Sequence, residues 1–289
     1  MMCCTSCGIK KILKDCDNCD LVKYCSDKCQ TNHRPHHEEA CKKRAAVLQH
    51  EKRLFTQPDE SHLGECPICC LPLPIESKSI FAECCSKTIC IGCNFANQRR
   101  EADVGLDHRC AFCREPVPKL DEDGDKKNMK RIKKNDPDAM LFMGKERYFE
   151  GDYESAFKYF TKAAELGHAD AHNMLALMYQ YGKGVEKDAE QEVYHLEEAA
   201  IGGHPEARHD LGCDEACSGR FERARKHYII AANLGYHDSL KKLKCLYADG
   251  HASKEDYAGA LRAYQVAVDA AKSLERDEAE AFHEERGWM

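Results

Sequence analysis

Long apolar runs are absent from this sequence of 289 residues. No stretch approaches the roughly 18 consecutive apolar residues that a membrane-spanning helix needs. The N-terminal stretch mixes cysteine with lysine and lacks the apolar segment of a secretory signal. The sequence therefore predicts an intracellular protein, cytoplasmic or nuclear, with no membrane partner.

The common catalytic motifs are also missing. The sequence contains no phosphate-binding Gly-Lys-Ser/Thr loop, no His-Glu-x-x-His pair and no Gly-x-Ser-x-Gly elbow. No residue is therefore assigned as a catalytic nucleophile or as a binder of an organic cofactor.

Basic residues are fewer than acidic residues, with 43 Lys and Arg against 50 Asp and Glu, which gives a formal net charge of −7. Non-specific binding of nucleic acid needs a basic surface. The basic run at 126–134 is interpreted as a solvated helical linker, with a nuclear-localisation or nucleic-acid patch as the alternative. Proteins are therefore the expected partners.

Cysteine, by contrast, is abundant and unevenly placed. Of the 20 cysteines, 17 lie at or before Cys113. Disulfides are rare in a reducing compartment, and dense cysteine there indicates metal binding. The remaining three are expected to be small buried apolar residues, namely Cys213, Cys217 and Cys245.

The first cysteine-rich region contains four closely spaced ligand pairs. These pairs are Cys4 and Cys7, Cys16 and Cys19, Cys25 and Cys29, and His37 and Cys41. A short pair turns both donors to one side, so two pairs complete one tetrahedral zinc site. Eight donors make two closed sites without a position for water, which indicates structural metal.

The stretch from Tyr24 to Cys41 resembles a MYND finger, and all eight ligand positions of 4–41 match. The resemblance implies two interleaved sites. One would consist of Cys4, Cys7, Cys25 and Cys29, and the other of Cys16, Cys19, His37 and Cys41. Cys3 is an alternative to Cys4. MYND fingers dock short, often proline-containing peptides, although Arg34 stands where the family often has Trp. The alternative is a finger that only folds the N-terminus.

A second set of pairs starts at Cys66, and residues 66–118 resemble a RING finger. The resemblance implies a cross-brace of two zinc sites. One site would consist of Cys66, Cys69, Cys90 and Cys93, and the other of Cys110 and Cys113 with two donors from the middle segment. Lys87 stands where a RING finger has histidine, and protonated lysine cannot bind zinc. We therefore assign Cys84 and Cys85, with His108 as the alternative donor, and expect about four zinc ions in all.

RING fingers act as ubiquitin ligases that have no nucleophile of their own and hold a conjugating enzyme's thioester in a reactive pose. The resemblance assigns docking of that enzyme to Ile68, Pro67 and Pro116. It assigns Arg114, directly after the last ligand, to the clamp on ubiquitin. The alternative is a scaffold in which both zinc modules only bind proteins.

From Asp138 onward the sequence repeats. The segment Ala163-Ala164-Glu165-Leu166-Gly167 recurs at 199–203 and 231–235, at intervals of 36 and 32 residues. Such periods indicate a solenoid of helical hairpins in which each glycine ends a second helix in the left-handed conformation. Residues 136–272 resemble Sel-one-like repeats, relatives of the tetratricopeptide repeat. Residues 256–285 are expected to form one long capping helix.

Together these patterns predict small zinc-stabilised modules, MYND-like and RING-like cross-brace, followed by an all-α helical-repeat solenoid. The expected boundaries are 1–45 for the MYND-like finger, 46–65 for a short helix and joint, 66–118 for the RING-like finger, 119–136 for a charged linker, and 137–289 for the repeats. We expect a zinc-binding adaptor that acts as a RING-type ubiquitin ligase and recruits protein substrates through its repeats or its MYND-like finger. A ubiquitin-conjugating enzyme and ubiquitin are the further partners that this function implies.

Overall fold

The computed structural model describes residues 14–16, 19–24, 26–75, 79–117 and 121–286. The chain divides into two compact units, Met1–Thr56 and Gln57–Met289. Across the described ranges, every helix is either too short or too polar to cross a bilayer.

The first unit contains a hairpin and a long helix. Strands β1 (Lys14–Cys16) and β2 (Cys19–Tyr24) pair antiparallel, with Lys14 opposite Tyr24. Helix α1 (Asp27–Leu54) has 28 residues, and the Ser26 hydroxyl caps its start by accepting the Cys29 N–H at 3.3 Å.

Helix α1 is longer than the sequence suggested, because only a short helix within residues 46–65 was expected. Pro35, which disfavours a helix interior, lies inside it without ending it. His37 and Cys41 are one helical turn apart, so both side chains lie on the buried face of α1. The ligand pair is thus part of the helix, which runs without a break past the expected boundary at residue 45.

The second unit includes residues 66–117 of the segment predicted to be RING-like, which is called the RING-like module below. Strands β3 (Ser79–Ala82) and β4 (Lys87–Cys90) form an antiparallel hairpin with Phe81 opposite Thr88. Helix α2 (Ile91–Asp103) follows directly, and its first turn is capped by the Cys90 sulfur, which accepts the Cys93 N–H.

Helix α3 (Asp121–Ile132) occupies the segment expected to be a charged, solvated linker. Lys126 and Lys130 are exposed, as expected of a solvated helical linker, but another face of the helix is packed. Asn128 is fully buried, and the Arg131 guanidinium donates to the Cys84 carbonyl of the RING-like module. The segment therefore joins the zinc module to the repeats through direct contacts.

The repeats form four helical hairpins. Their helices are α4 (Pro137–Phe149), α5 (Tyr153–Glu165), α6 (Ala169–Tyr181), α7 (Ala189–Ile201), α8 (Pro205–Cys217), α9 (Phe221–Asn233), α10 (His237–Ala248) and α11 (Lys254–Ala270). The repeated glycines Gly167, Gly203 and Gly235 have φ of 83°, 84° and 93°. They end the second helices in the left-handed conformation, as the sequence predicted.

Small residues on the first helix of a hairpin face large ones on the second. A Cβ on Gly144 would lie 2.5 Å from the Phe160 ring, and one on Gly212 would lie 2.6 Å from the Tyr228 ring. Both rings are almost completely buried. The helices of these hairpins can therefore approach closely only where the first helix has no side chain.

The C-terminal segment differs from expectation, because two helices replace one. Helix α11 ends at Ala270, and a new helix, α12 (Leu274–Glu285), begins after a short turn. The Ser273 hydroxyl caps α12 by accepting the Arg276 N–H. Helix α12 leaves the repeats and packs on α2 of the RING-like module. The Phe95 and Phe282 rings pack together at a tilt of 44°, with ring centroids 4.8 Å apart. A Cβ on Gly92 would lie 2.8 Å from the Arg276 nitrogen.

Several polar residues of the repeats are more buried than their type suggests. Arg208 is fully buried and donates to the Ala200 carbonyl, and Asn173 and His209 are also buried. Conversely, Cys217 and Cys245 are exposed, so the expectation of buried free cysteines is wrong for them. The burial of these residues differs from the average for their types because it depends on which helix packs over each one, and residue type alone does not determine that packing.

Candidate metal centres

In the first unit, the paired ends of β1 and β2 and one face of α1 bring four predicted ligands together. The donor atoms of Cys16, Cys19, His37 and Cys41 all lie within 4.8 Å of one another. The Cys16 sulfur is 3.6 Å from His37 Nε2 and 3.8 Å from the Cys41 sulfur. Two thiolates bound to one tetrahedral zinc at about 2.3 Å would be separated by about 3.8 Å. The donor set therefore fits a zinc ion.

The other ring nitrogen of His37 is also held. Its Nδ1 lies 3.3 Å from the buried Tyr24 hydroxyl and 3.4 Å from the His33 carbonyl. These partners orient the ring so that Nε2 faces the thiols, as zinc-bound histidines require. Burial and the neighbouring thiols Cys19 and Cys16 raise the pKa of Cys41 to about 12. A cation is therefore needed to hold these sulfurs as thiolates.

The second site of the MYND-like finger is described only in part. Cys29 lies in the first turn of α1. Cys4, Cys7 and Cys25, together with the alternative Cys3, lie outside the described residues. This site stays a prediction.

Two further groups of sulfurs form in the RING-like module. Cys66, Cys69, Cys90 and Cys93 make one group, and the Cys69 and Cys90 sulfurs are 3.8 Å apart. Cys84, Cys85, Cys110 and Cys113 make the other, and the Cys85 and Cys110 sulfurs are 3.8 Å apart. The first pair joins the third and the second joins the fourth, which is the interleaved order of a cross-brace.

The adjacent ligands Cys84 and Cys85 reach the same group because the hairpin turn is tight. Ser86 takes a positive φ of 49°, and the Cys85 N–H donates to the Ala82 carbonyl. The alternative donor His108 is turned elsewhere, with Nδ1 3.1 Å from a Glu101 carboxylate oxygen. The geometry thus favours Cys84 over His108 as the fourth ligand.

The two knuckles of the module that begin at Cys66 and Cys110 have the same backbone geometry. The residue after the second cysteine is left-handed in both, with φ of 56° at Cys70 and 64° at Arg114. Its N–H donates to the carbonyl of the first cysteine, at 2.8 Å in one knuckle and 3.0 Å in the other. Arg114 is therefore placed by the turn that closes the metal site.

Arg276 of α12 contacts the first sulfur group of the RING-like module, although no sequence pattern pointed to it. Its guanidinium donates to the Pro72 carbonyl at 2.7 Å, to the Leu71 carbonyl at 3.3 Å and to the Cys69 sulfur at 3.5 Å. The residue is only 3% exposed. A buried cation beside a four-thiolate site offsets part of the site's net negative charge.

A fourth cluster joins the two parts of the second unit and was also missed. His62 Nε2 and His204 Nε2 lie 2.8 Å and 3.0 Å from the same Asp170 oxygen, and Lys145 lies 3.6 Å from the other oxygen. Burial alone raises the pKa of Asp170, but the hydrogen bonds from His204 and His62 hold this pKa well below its ordinary value.

This cluster does not fit a metal ion. His204 Nδ1 accepts the Ala207 N–H at 3.2 Å, so the proton of a neutral His204 is on Nε2 and points to Asp170. The His62 and His204 rings are stacked, 4.2 Å apart and 23° from parallel. The cluster is a hydrogen-bonded clasp between the segment before Cys66 and helices α6 and α8.

Comparison with known proteins gives two family matches. The model of the MYND finger matches residues 4–41. The model of the Sel1 repeat matches residues 137–168, 169–204 and 221–236. Together with the donor clusters, these matches confirm the fold class, a zinc-finger-type N-terminal module followed by an all-helical repeat solenoid.

Individual relatives match parts of the chain. DAP3-binding cell death enhancer 1 of Mus musculus is 35% identical over 173 residues, covering 44% of this chain and 33% of that protein. An uncharacterised protein of Neisseria meningitidis serogroup B is 30% identical over 136 residues, covering 45% and 28%. The chain thus spans at most 33% of the length of these two relatives. A solved Sel1 repeat protein from Oxalobacter formigenes is 28% identical, covers 62% of this chain and 72% of its own, and has a TM-score of 0.45.

Proposed function

We propose that this chain, with its MYND finger and Sel1 repeats, is a zinc-binding protein-interaction adaptor whose RING-like module recruits a ubiquitin-conjugating enzyme. The observation that carries the proposal is the pair of interleaved sulfur groups, each closed by a knuckle of the same geometry. The Mus musculus relative is named for binding another protein, which supports a protein partner here.

The tips of the two knuckles suit a docking surface. Ile68 lies between the cysteines of one knuckle and is 41% exposed, and Phe112 takes the same place in the other and is 44% exposed. Pro116 is exposed as well. A turn braced by a metal ion holds large apolar side chains in an exposed position, so binding a partner does not require the ordering of a flexible loop. This arrangement supports docking of a conjugating enzyme at Ile68, Pro67 and Pro116.

The repeats leave this surface open. Helix α12 contacts α2 through Gly92, Phe95 and Arg99. Its Arg276 also contacts the first knuckle at Cys69, Leu71 and Pro72, and none of these contacts involves a proposed docking residue. Arg114 is exposed, and its guanidinium donates to the Asn97 oxygen on α2. A guanidinium held at the rim of the module is suited to hydrogen-bond a second protein and orient a thioester.

The test is an autoubiquitination assay of the zinc-loaded chain with a panel of conjugating enzymes, with zinc measured on the same sample. Arg114→Ala should abolish chain formation and leave the zinc content unchanged. Because Arg114 is left-handed, Arg114→Gly is the variant that removes the guanidinium without backbone strain, and it should behave alike. Arg109→Ala, at another exposed arginine of the module, is the control. Full activity of both Arg114 variants would refute the proposed clamp.

A non-enzymatic scaffold is the second candidate, and one observation favours it. The Asn97 oxygen accepts hydrogen bonds from Arg114 and from Arg100, and Asn97 is buried. Arg114 therefore provides a hydrogen bond within the module itself, which explains its presence without any contact to ubiquitin. Zinc-loaded protein that forms no ubiquitin chains with any conjugating enzyme would favour the scaffold.

A further inference from the structure

The second unit contains a cleft of about 800 Å³ between the RING-like module and the last repeat. One wall is the segment Pro72–Ile75 that follows the first zinc knuckle. The other walls are the turn after α9, the face of α11, and the start of α12. The cleft includes neither the sulfur groups nor the knuckle tips, and it is large enough for a drug-sized ligand or a short peptide.

The floor of the cleft is apolar. Leu73 and Leu234 are buried in it, and Ile75 and Ala267 approach each other across Gly235. A Cβ on Gly235 would lie 3.5 Å from the Ile75 side chain and 3.7 Å from the Ala267 Cβ. The absence of a side chain at this turn therefore keeps the floor open where three elements meet.

The walls are tied together by hydrogen bonds. Arg276 joins α12 to the Pro72 carbonyl at 2.7 Å. On the opposite side, the Asn233 amide donates to the Gln57 side chain at 3.0 Å. One bond thus fixes α12 to the segment after the first knuckle, and the other fixes the end of α9 to the segment before Asp59, which lowers the entropy cost of binding a ligand between them.

The rim of the cleft is acidic. Four exposed carboxylates line it, those of Asp59, Glu60, Glu65 and Asp277. The two cations of the lining are engaged within the chain. Lys272 is 2.8 Å from Asp269, and Arg276 is buried against carbonyls and the Cys69 sulfur. The field at the mouth of the cleft is therefore negative and favours a basic ligand.

We infer that this cleft binds a short segment of a partner protein in which basic residues flank one or two apolar side chains. The apolar side chains fill the floor, and the lysines or arginines meet the carboxylates of the rim. The inference rests on the proposed adaptor function and names its partner class, but it requires no ubiquitin transfer. The cleft's position beside the RING-like module would hold the captured segment close to the knuckles.

The experiment is a peptide-display selection on the full zinc-loaded chain, with counter-selection on Ala267→Arg, which places a cation on the floor. Leu261→Arg makes a similar change on the same helix outside the cleft and is the matched control. Peptides retained by wild type and by Leu261→Arg, but lost with Ala267→Arg, should share a basic and apolar consensus. No such consensus, or equal recovery with Ala267→Arg, would overturn the inference.

A second pair of variants guards against misfolding. The double variant Glu60→Lys with Glu65→Lys changes only exposed side chains and should weaken a selected peptide about tenfold, more at low salt. Glu146→Lys with Glu186→Lys, two exposed carboxylates outside the cleft, should leave its affinity unchanged. Equal affinities of the two double variants would refute the acidic rim. A selected peptide that binds a chain inactive in ubiquitin transfer would separate this inference from the ligase proposal.

Discussion

Arg276 holds the C-terminal helix on the RING-like module, and its replacement by methionine tests that contact. The guanidinium donates to the Pro72, Leu71 and Ala271 carbonyls and to the Cys69 sulfur, and the residue is 3% exposed. Methionine keeps much of the apolar volume but leaves these acceptors without their donor. Removing one partner of a buried charged network costs about 3–5 kcal/mol, and we expect about 3 kcal/mol because methionine needs no desolvation of charge.

The assay is urea unfolding of the zinc-loaded chain, followed by a probe in the second unit. With a slope of about 3 kcal/mol/M, a loss of about 3 kcal/mol lowers the midpoint by about 1 M urea. Arg262→Met, on the exposed face of α11, should change the free energy of unfolding by less than about 0.5 kcal/mol. Arg276→Lys should fall between the two, since an ammonium group cannot reach all the acceptors of the guanidinium fork.

Release of zinc to a chelator gives a second measurement on the same variants. Arg276→Met should speed the loss of one zinc ion, the one held by the group that includes Cys69, and leave the other releases unchanged. An unchanged urea midpoint together with unchanged zinc release would refute the view that Arg276 couples α12 to the metal site.

Three further predictions concern packing, titration and the ligand set. Gly144→Ala should destabilise the chain by about 1–3 kcal/mol in thermal unfolding, because its Cβ would lie 2.5 Å from a buried ring. Gly259→Ala has open space around its Cβ and should stabilise the chain by about 0.5–1 kcal/mol in the same assay. Equal effects of the two substitutions would contradict the packing argument. Burial, then repulsion by neighbouring carboxylates, raises the pKa of Asp210 to about 7, because the folded chain favours the neutral carboxyl group. The contribution of Asp210 to the free energy of unfolding is therefore fully present below pH 3.8 and is lost as pH rises through 7. Asp210→Asn should therefore stabilise the chain by about 1–2 kcal/mol at pH 8 and by almost nothing near pH 4, and a gain that does not vary with pH would contradict this. Cys84→Ser should lower the zinc content by about one ion per chain while His108→Ala keeps it, and the reverse result would make His108 the ligand.

The cysteine-rich modules and the repeats could be predicted from the spacing of residues that are close in the sequence. Pairs such as Cys90 and Cys93 are close in the chain, so the turn between them largely decides where their donors point. Gly167, Gly203 and Gly235 likewise mark helix ends, because the left-handed conformation is a property of the residue itself. These features depend on neighbouring residues, and the sequence was sufficient to predict them.

The long helix α1 was harder to predict. Pro35 indicates a break, but the helix continues through it to Leu54. Likewise Ser273 was not recognised as the cap that separates α12 from α11. In both places a local propensity competes with tertiary contacts, and the propensity alone does not show which prevails.

Sequence by itself thus determined which cysteines pair as candidate zinc ligands, where the repeat helices end, and that Cys84 is a candidate ligand in place of the missing histidine. Only the tertiary structure decided that α12 returns to α2, that Arg276 reaches the Cys69 sulfur, and that His62 meets Asp170 and His204. The physical reason is the distance along the chain. These contacts join residues far apart in sequence, and they form because helices packed in three dimensions bury charges that must then find partners.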